Sequence, residues 1–289
     1  MAGGHGEGDR ADQLKYPFGL FVDEDQTVYI ADCVNHRIMG WKAGATTGEI
    51  LAGGKGRGDG LDQLNHPSDV IVDREIDFLI ICDQWNRRVM RWPRRPSSNQ
   101  QPEILIDNIA CWGLIRDDHG SLYVSDGEKH EVRRYDKNGA KKGTVVVGGH
   151  GKRRNRNQLH TPNSLFVDAQ STLYVSDYEN HRVMKWMKGA KEGIVVAGGN
   201  GRGADVTQLD CPQGVWVDGC ENVYVADWGN NRVIRWEKGA KRGTVIVGGN
   251  GEGERANQLS GPHGLFFDRL GHLYVAELGN DRVQRFSLC

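Results

Sequence analysis

The sequence predicts an all-β fold, a β-propeller built from six tandem repeats, and three observations predict it. A phrase of the form Asp-x-x-Asn-[His/Arg/Asn]-Arg-Val, preceded by [Leu/Val]-Tyr-Val-[Ala/Ser], recurs with its acid at Asp32, Asp83, Asp126, Asp177, Asp227 and Glu277. Successive acids stand 51, 43, 51, 50 and 50 residues apart. A period of about 40–50 residues made of short strands is what propeller blades produce, because each blade has a face that only a neighbour can cover. Glycine is 40 of 289 residues, about twice the usual ~7%, and its excess is periodic, so it belongs to turns.

The fifth repeat shows the order of elements. Residues 214–218 form the first strand, and Asp218-Gly219-Cys220-Glu221-Asn222 supplies polar turn formers. Residues 223–227 form the second strand, Trp228-Gly229-Asn230-Asn231 the next turn, and residues 232–236 the third strand. A hairpin loop, 238–243, leads to the fourth strand, 244–247, and then to a long glycine loop that ends at Gln258-Leu259 before Pro262. Short β-branched and aromatic runs between Gly, Asn and Asp are what antiparallel hairpins require.

Other positions keep step. Nine residues after each acid stands an aromatic: Trp41, Trp92, Tyr135, Trp186, Trp236 and Phe286. Three before it stands Tyr29, Tyr123, Tyr174, Tyr224 or Tyr274, with Ile80 in the second copy. An aromatic repeated in every blade reads as core between blades rather than a ligand stripe. The acid and the Arg five later bracket one turn and are expected to pair. The third copy departs, with Lys129 and Glu131, and the sixth has Glu277 and Asp281.

Pro-x-Gly-[Leu/Val]-x-[Val/Phe]-Asp, then Tyr-Val-[Ala/Ser]-Asp, then Asn-His-Arg-[Ile/Val] resembles the NHL repeat. Asn35-His36-Arg37 and Asn180-His181-Arg182 carry the literal Asn-His-Arg, and the resemblance covers essentially the whole chain. It implies a six-bladed propeller of four-stranded antiparallel blades, in one domain over residues 1–289. It also implies kinship with the NHL domains of tripartite-motif proteins and with peptide-amidating lyases.

Gly-Gly-x-Gly-x-Gly-x4-Gln-Leu and its variants stand at residues 3–14, 53–64, 148–159, 198–209 and 248–259. Junction two-to-three lacks this loop: Glu103-Ile104-Leu105-Ile106-Asp107 runs almost directly into Trp112-Gly113-Leu114, which accounts for the spacing of 43 and predicts a notch beside Trp112. The loops superficially resemble phosphate cradles, but no helix-forming segment or Gly-Lys-[Ser/Thr] follows them. The chain stops after the third strand of the sixth copy. The missing strand is therefore expected from the N-terminus, as a stump at Met1-Ala2, with either a longer parent protein or an exposed edge as the consequence.

Lys plus Arg is 37 and Asp plus Glu 38, so no global field draws the chain to nucleic acid or membrane, and recognition must come from local patches. No apolar window of about 20 residues exists for a membrane span, and Met1-Ala2-Gly3-Gly4-His5 is no signal segment. Cys33, Cys82, Cys111, Cys211, Cys220 and Cys289 contain no C-x-x-C pair and read mostly as reduced structural thiols, which favours the cytoplasm.

The residue after each repeat-opening Pro is expected to face the central channel: Phe18, Ser68, Trp112 (after Cys111), Asn163, Gln213 and His263, with Asp69 one place later. The resemblance to amidating lyases and to lactonase-like propellers makes this the place for a catalytic zinc or calcium. One His and two amides are a poor zinc set and, without charged oxygens, a poor calcium set, so no metal and no cofactor is expected. The end carrying the glycine loops has the basic run Lys152-Arg153-Arg154-Asn155-Arg156, with Arg57 and Arg202 in sister loops. Trp85, Tyr178 and Trp228 stand in the Asp-x-x-Asn turns. Acids are mixed among them, as on a solvated rim. The opposite end repeats Lys137, Lys141, Lys142, Lys188, Lys191, Lys238, Lys241 and Arg242, and residues 94–102 form a polar, Pro-bounded loop expected to be mobile.

Fold alone does not give function. The leading expectation is a non-enzymatic recognition module that binds a protein or peptide through Trp85, Trp112, Tyr178, Trp228 and the notch. The second is single-stranded RNA bound by basic and aromatic side chains; the resemblance to tripartite-motif proteins supports it. The third is a metal-dependent lyase or lactone hydrolase using Asp69, Asn163, Gln213 and His263.

Overall fold

The computed structural model describes residues 1–95, 100–137 and 142–288. The centre of the 94–102 loop, Lys141 and Cys289 lie outside the described residues. The fold is a six-bladed β-propeller in which each blade is a four-stranded antiparallel sheet. Blades 1 to 5 span residues 17–53, 67–107, 111–148, 162–198 and 212–248, and blade 6 spans 262–287. The outer strand of blade 6 is Ala2–Gly3, with Ala2 opposite Val283 and Gly3 opposite Arg282. The expected N-terminal closing strand is therefore present, and it is two residues long.

The chain divides into two compact units, residues 1–111 with 263–289, and residues 112–262. Within each, the periodic aromatics pack as blade-to-blade core. Tyr29 of blade 1 lies among Val70, Val72, Leu79 and Ile81 of blade 2. Trp41 of blade 1 lies with Tyr274 and Ala276 of blade 6. In the second unit Tyr123 of blade 3 packs on Leu165, Leu173 and Val175 of blade 4, and Tyr174 of blade 4 on Val215, Val217 and Val225 of blade 5. Trp41, Trp186 and Trp236 are almost wholly buried, so each supplies the large apolar area that an aromatic contributes to a core.

The second and third strands of each blade place the marker acid directly opposite the residue five later: Asp32 opposite Arg37, Asp83 opposite Arg88, Asp177 opposite Arg182, Asp227 opposite Arg232, Glu277 opposite Arg282. In blade 3 the same register sets Asp126 against Glu131. A bulge follows in each of the five complete blades, for example between Val183 and Met184, and turns the outer strand away. No helix of the described residues is long and apolar enough to cross a membrane.

One expectation from the cysteines is corrected. Cys82 and Cys111 are joined by a disulfide, with Cα atoms 5.5 Å apart. The two positions are 29 residues apart with unrelated places in the repeat, on strands of different sheets, so sequence spacing alone does not reveal that folding brings them together. Cys33, Cys211 and Cys220 are free thiols.

Candidate recognition surface at the blade junctions

The long glycine loops are clamped from beneath. Asp32 is fully buried and accepts hydrogen bonds from Arg37 Nε (2.6 Å), Asn35 Nδ2 (2.9 Å) and the Lys15 backbone N–H (2.7 Å). The rest of the Arg37 guanidinium donates to the carbonyls of Asp9, Arg10 and Gln13, and Asn35 donates to that of Gly8. Arg88 holds Asp59, Gly60 and Gln63 in the same way. Arg182 holds Arg154, Asn155 and Gln158, and Arg232 holds Ala204, Asp205 and Gln208. Acid, asparagine and arginine thus form a frame whose purpose is the loop above. The loop carbonyls converge on a cation, the reverse of the N–H array that an anion cradle presents. Leu14, Leu64, Leu159, Leu209 and Leu259 plug the loops from inside with no exposure.

A second device joins one blade to the next. The residue four after the marker acid sits in the left-handed region, as His36 (φ 54°), His130 (55°), His181 (51°), Asn231 (50°) and Asp281 (46°). Its side chain accepts the backbone N–H of the residue preceding the next blade's opening Pro or its equivalent. His36 Nδ1 accepts from His66 at 3.2 Å, His130 Nδ1 from Thr161 at 3.1 Å and His181 Nδ1 from Cys211 at 3.1 Å. Asn231 Oδ1 accepts from Gly261 at 2.8 Å and Asp281 Oδ1 from Tyr16 at 2.9 Å. The donors are left-handed too: Tyr16, His66, Thr161, Cys211 and Gly261 have φ between 51° and 57°. That conformation is unfavourable for a β-branched residue such as Thr161 and before a proline. The acceptor on the previous blade holds it in place.

The frame repeats, but the side chains it presents do not. The residue after the third loop glycine is Glu7, Arg57, Lys152, Arg202 or Glu252, and its neighbours change with it. At junction 1→2 the Arg57 guanidinium lies 5.5 Å from the Trp85 ring centroid. Trp85, 55% exposed, stacks on His66 with ring centroids 3.6 Å apart and planes 19° apart. His36 meets His66 edge-on at 4.6 Å. Burial, then His36 and Arg57, lowers His66 to about 4, so this stack is neutral at its imidazole. At junction 3→4 His130 and His160 meet edge-on at 5.4 Å, and the loop carries the exposed run Lys152, Arg153, Arg154 and Arg156. Burial first, then His160 and Lys152, lowers His130.

At junction 4→5 Arg202 Nε pairs with Asp210 Oδ1 at 2.9 Å. Beside them lie Cys211, pushed up to about 11 chiefly by burial, and Tyr178, pushed up to about 12 by burial and then by Cys211. At junction 5→6 Ser260 Oγ donates to Glu252 at 2.8 Å, and at junction 6→1 Lys15 pairs with Glu7.

The structure therefore unites Arg57 with Trp85, and Arg202 with Tyr178 around Asp210 and Cys211. The basic run sits on a clamped backbone: Asn180 and Arg182 take the carbonyls of Arg153 and Arg154, the Arg156 carbonyl accepts from Gly193 N–H at 2.8 Å, and the Arg154 guanidinium donates to Gly199 O. Trp112 and Trp228 are half-buried. Trp112 packs against Gly127, where any Cβ would strike the indole. The connection beside Trp112, residues 108–110, is three residues long. The histidines at 66 and 130 were not singled out from the sequence, and those at 36 and 181 were read only as letters of the repeat, with no acceptor role. The signal for them was the slot four after each acid and the slot before each proline.

Of the positions expected at the channel, two pairs meet, Phe18 with His263 and Asn163 with Gln213. Phe18 stacks on His263 (4.3 Å, 14°), and burial lowers His263 to about 3. Ser68 Oγ donates to Cys111 O at 3.3 Å. Asp69 Oδ1 accepts the Val70 N–H at 2.9 Å and lies against Gly19. The amides of Asn163 and Gln213 bond each other, and Asn163 O accepts from Ser125 Oγ at 2.7 Å.

No family model and no curated protein sequence matches the chain. Solved propeller structures do. An auxiliary nutrient binding protein from Bacteroides thetaiotaomicron superposes with a TM-score of 0.72 at 15% identity, over 95% of this chain and 69% of that one. Virginiamycin B lyase from Staphylococcus aureus gives 0.59 at 11%, over 96% and 85%. A gluconolactonase from Xanthomonas campestris gives 0.66 at 17%, over 92% and 84%. At these identities the likeness is one of fold, which in these neighbours carries both binding and enzymatic roles.

Proposed function

We propose that this chain is a recognition module of NHL-repeat type, which binds a protein or peptide partner through the loop end of its blades. The observation that carries the reading is the stack of Arg57, Trp85 and His66. A tryptophan left 55% exposed, held by a cation on one side and a neutral imidazole stack beside it, is a pre-ordered anchor. Trp and Arg dominate binding hot spots, and an anchor already fixed loses little side-chain entropy on binding. The chemically distinct junctions around it, set in one repeated frame, supply the differences that specificity needs. The lyase or lactonase alternative draws its support from the fold of the neighbours alone.

The test is proximity cross-linking of tagged protein in cells, comparing wild type with Trp85→Ala and Arg57→Ala. Partners lost in both variants, with the melting temperature unchanged, support the reading. An unchanged set of cross-linked proteins overturns it. Single-stranded RNA is the second reading, favoured by the same Arg-over-Trp geometry and by the exposed run at 152–156. It predicts binding to a randomised RNA pool that weakens steeply with salt and disappears when Lys152, Arg153, Arg154 and Arg156 are all changed to Ala.

A further inference from the structure

Junction 4→5 differs from its four long-loop counterparts in one respect that recognition does not explain. His181, Asp210 and Cys211 bring an imidazole nitrogen, a carboxylate oxygen and a thiol sulfur within 4.8 Å of one another, a grouping of metal-ligand type among the described residues. The corresponding trios are His36, Asn65 and His66 at junction 1→2, and His130, His160 and Thr161 at junction 3→4. At 5→6 they are Asn231, Ser260 and Gly261, and at 6→1 Asp281, Lys15 and Tyr16. None of these combines the three donor types.

We propose that His181, Asp210 and Cys211 form a binding site for a divalent transition-metal cation of zinc type, independent of the partner surface at Trp85. Three features of the geometry support it. Asp210 Oδ1 is buried, and its close cation, Arg202 (Nε at 2.9 Å), is a largely exposed side chain that a metal can displace. His181 Nδ1 stands 3.9 Å from that oxygen and is the proton-free nitrogen, because it accepts the Cys211 N–H. The backbone holds the cluster in place: Asp210 N–H donates to the buried Asp227 carboxylate, Asp210 O accepts from Gly229 N–H, and Cys211 next to it is fixed at a φ of 53°. Sulfur, imidazole and carboxylate together suit zinc, and three protein ligands leave one position for water. Ligand atoms around zinc lie about 3.3–3.8 Å apart when bonds are about 2.0–2.3 Å, so the trio closes by roughly 1 Å. On binding, the Cys211 proton leaves to solvent, His181 exchanges the amide for the metal, and Arg202, 67% exposed, swings into water.

The experiment is a titration of the full chain with cobalt(II), a spectroscopic stand-in for zinc, read by the thiolate-to-cobalt charge-transfer band in the near ultraviolet. The expected result is a saturable band at one metal per chain, displaced by zinc, absent in Cys211→Ser and weakened at least about tenfold in His181→Ala. Arg202→Ala keeps every ligand and removes the competing charge, so it binds more tightly than wild type; this variant decides the matter if the other two fail to fold. No band in wild type, a band that survives Cys211→Ser, or weaker binding in Arg202→Ala overturns the proposal.

Discussion

Junctions 4→5 and 2→3 join consecutive blades by different means. At 4→5 the joint is non-covalent: a buried Asp227–Arg232 pair (2.7 Å) clamps a glycine loop, and His181 accepts the first N–H of the next blade. At 2→3 each of these parts is replaced. The loop is gone, and Glu131 stands where the clamping arginine would, now paired with Arg133 at 2.6 Å. The left-handed residue is Arg87, a side chain with donors and no acceptor. At this one junction Cys82 and Cys111 form a disulfide. The comparison teaches that clamp and loop are one device: where there is no loop to hold, the arginine is lost, and a covalent bond takes over the joining of blades. It also explains the middle letter of Asn-His-Arg. The histidine is an acceptor for the blade that follows.

The largest way to break the comparison is Arg232→Ala. It strands the buried Asp227 carboxylate and frees three loop carbonyls, so thermal or denaturant unfolding should show a loss of about 3–5 kcal/mol. Glu131→Ala, the matching change where no loop exists, should cost much less. Next is Cys111→Ser, which removes the joint at 2→3 and should cost about 2–4 kcal/mol. Cys33→Ser, at a free thiol, should fall well short of that in the same assay, and so should Cys220→Ser.

Much of this was legible in sequence. The blades, the acid–arginine pairing and the buried aromatics all recur with the period, and repetition is a signal that one chain can carry. The short N-terminal strand and the missing loop showed as departures from the period. Cys82–Cys111 was not legible, because neither cysteine repeats and their proximity comes from folding. The His181, Asp210 and Cys211 cluster was hidden for a similar reason. Its members occupy slots that change chemistry from blade to blade, and about 30 residues of loop and strand separate them. Trp85 was found as an exposed aromatic, but its stack on His66 depends on a left-handed residue before Pro67, which no pattern in the chain declares.

A smaller effect separates the two acceptor types. His181→Leu leaves the Cys211 N–H without its partner and should cost about 1 kcal/mol. His181→Asn should retain most of the stability, since Asn231 performs the same role at 5→6. The last effect is in pH. Burial lowers His263 from 6.5 to about 3, so between those values the unfolded chain binds the proton and the folded one does not. This contribution is fully present above pH 6.5 and is lost as pH falls toward 3. Unfolding free energy in wild type should therefore decline over that window more steeply than in His263→Phe.

The central claim is that a constant frame presents variable side chains for recognition. It is tested most directly by measuring, in one preparation each, the melting temperature and partner cross-linking of Trp85→Ala and of Arg88→Ala, the arginine that clamps the loop bearing Arg57. The account predicts that Trp85→Ala melts as wild type does and loses its partners, whereas Arg88→Ala melts several degrees lower. A Trp85→Ala protein that keeps its full set of partners, or an Arg88→Ala protein as stable as wild type, would contradict it.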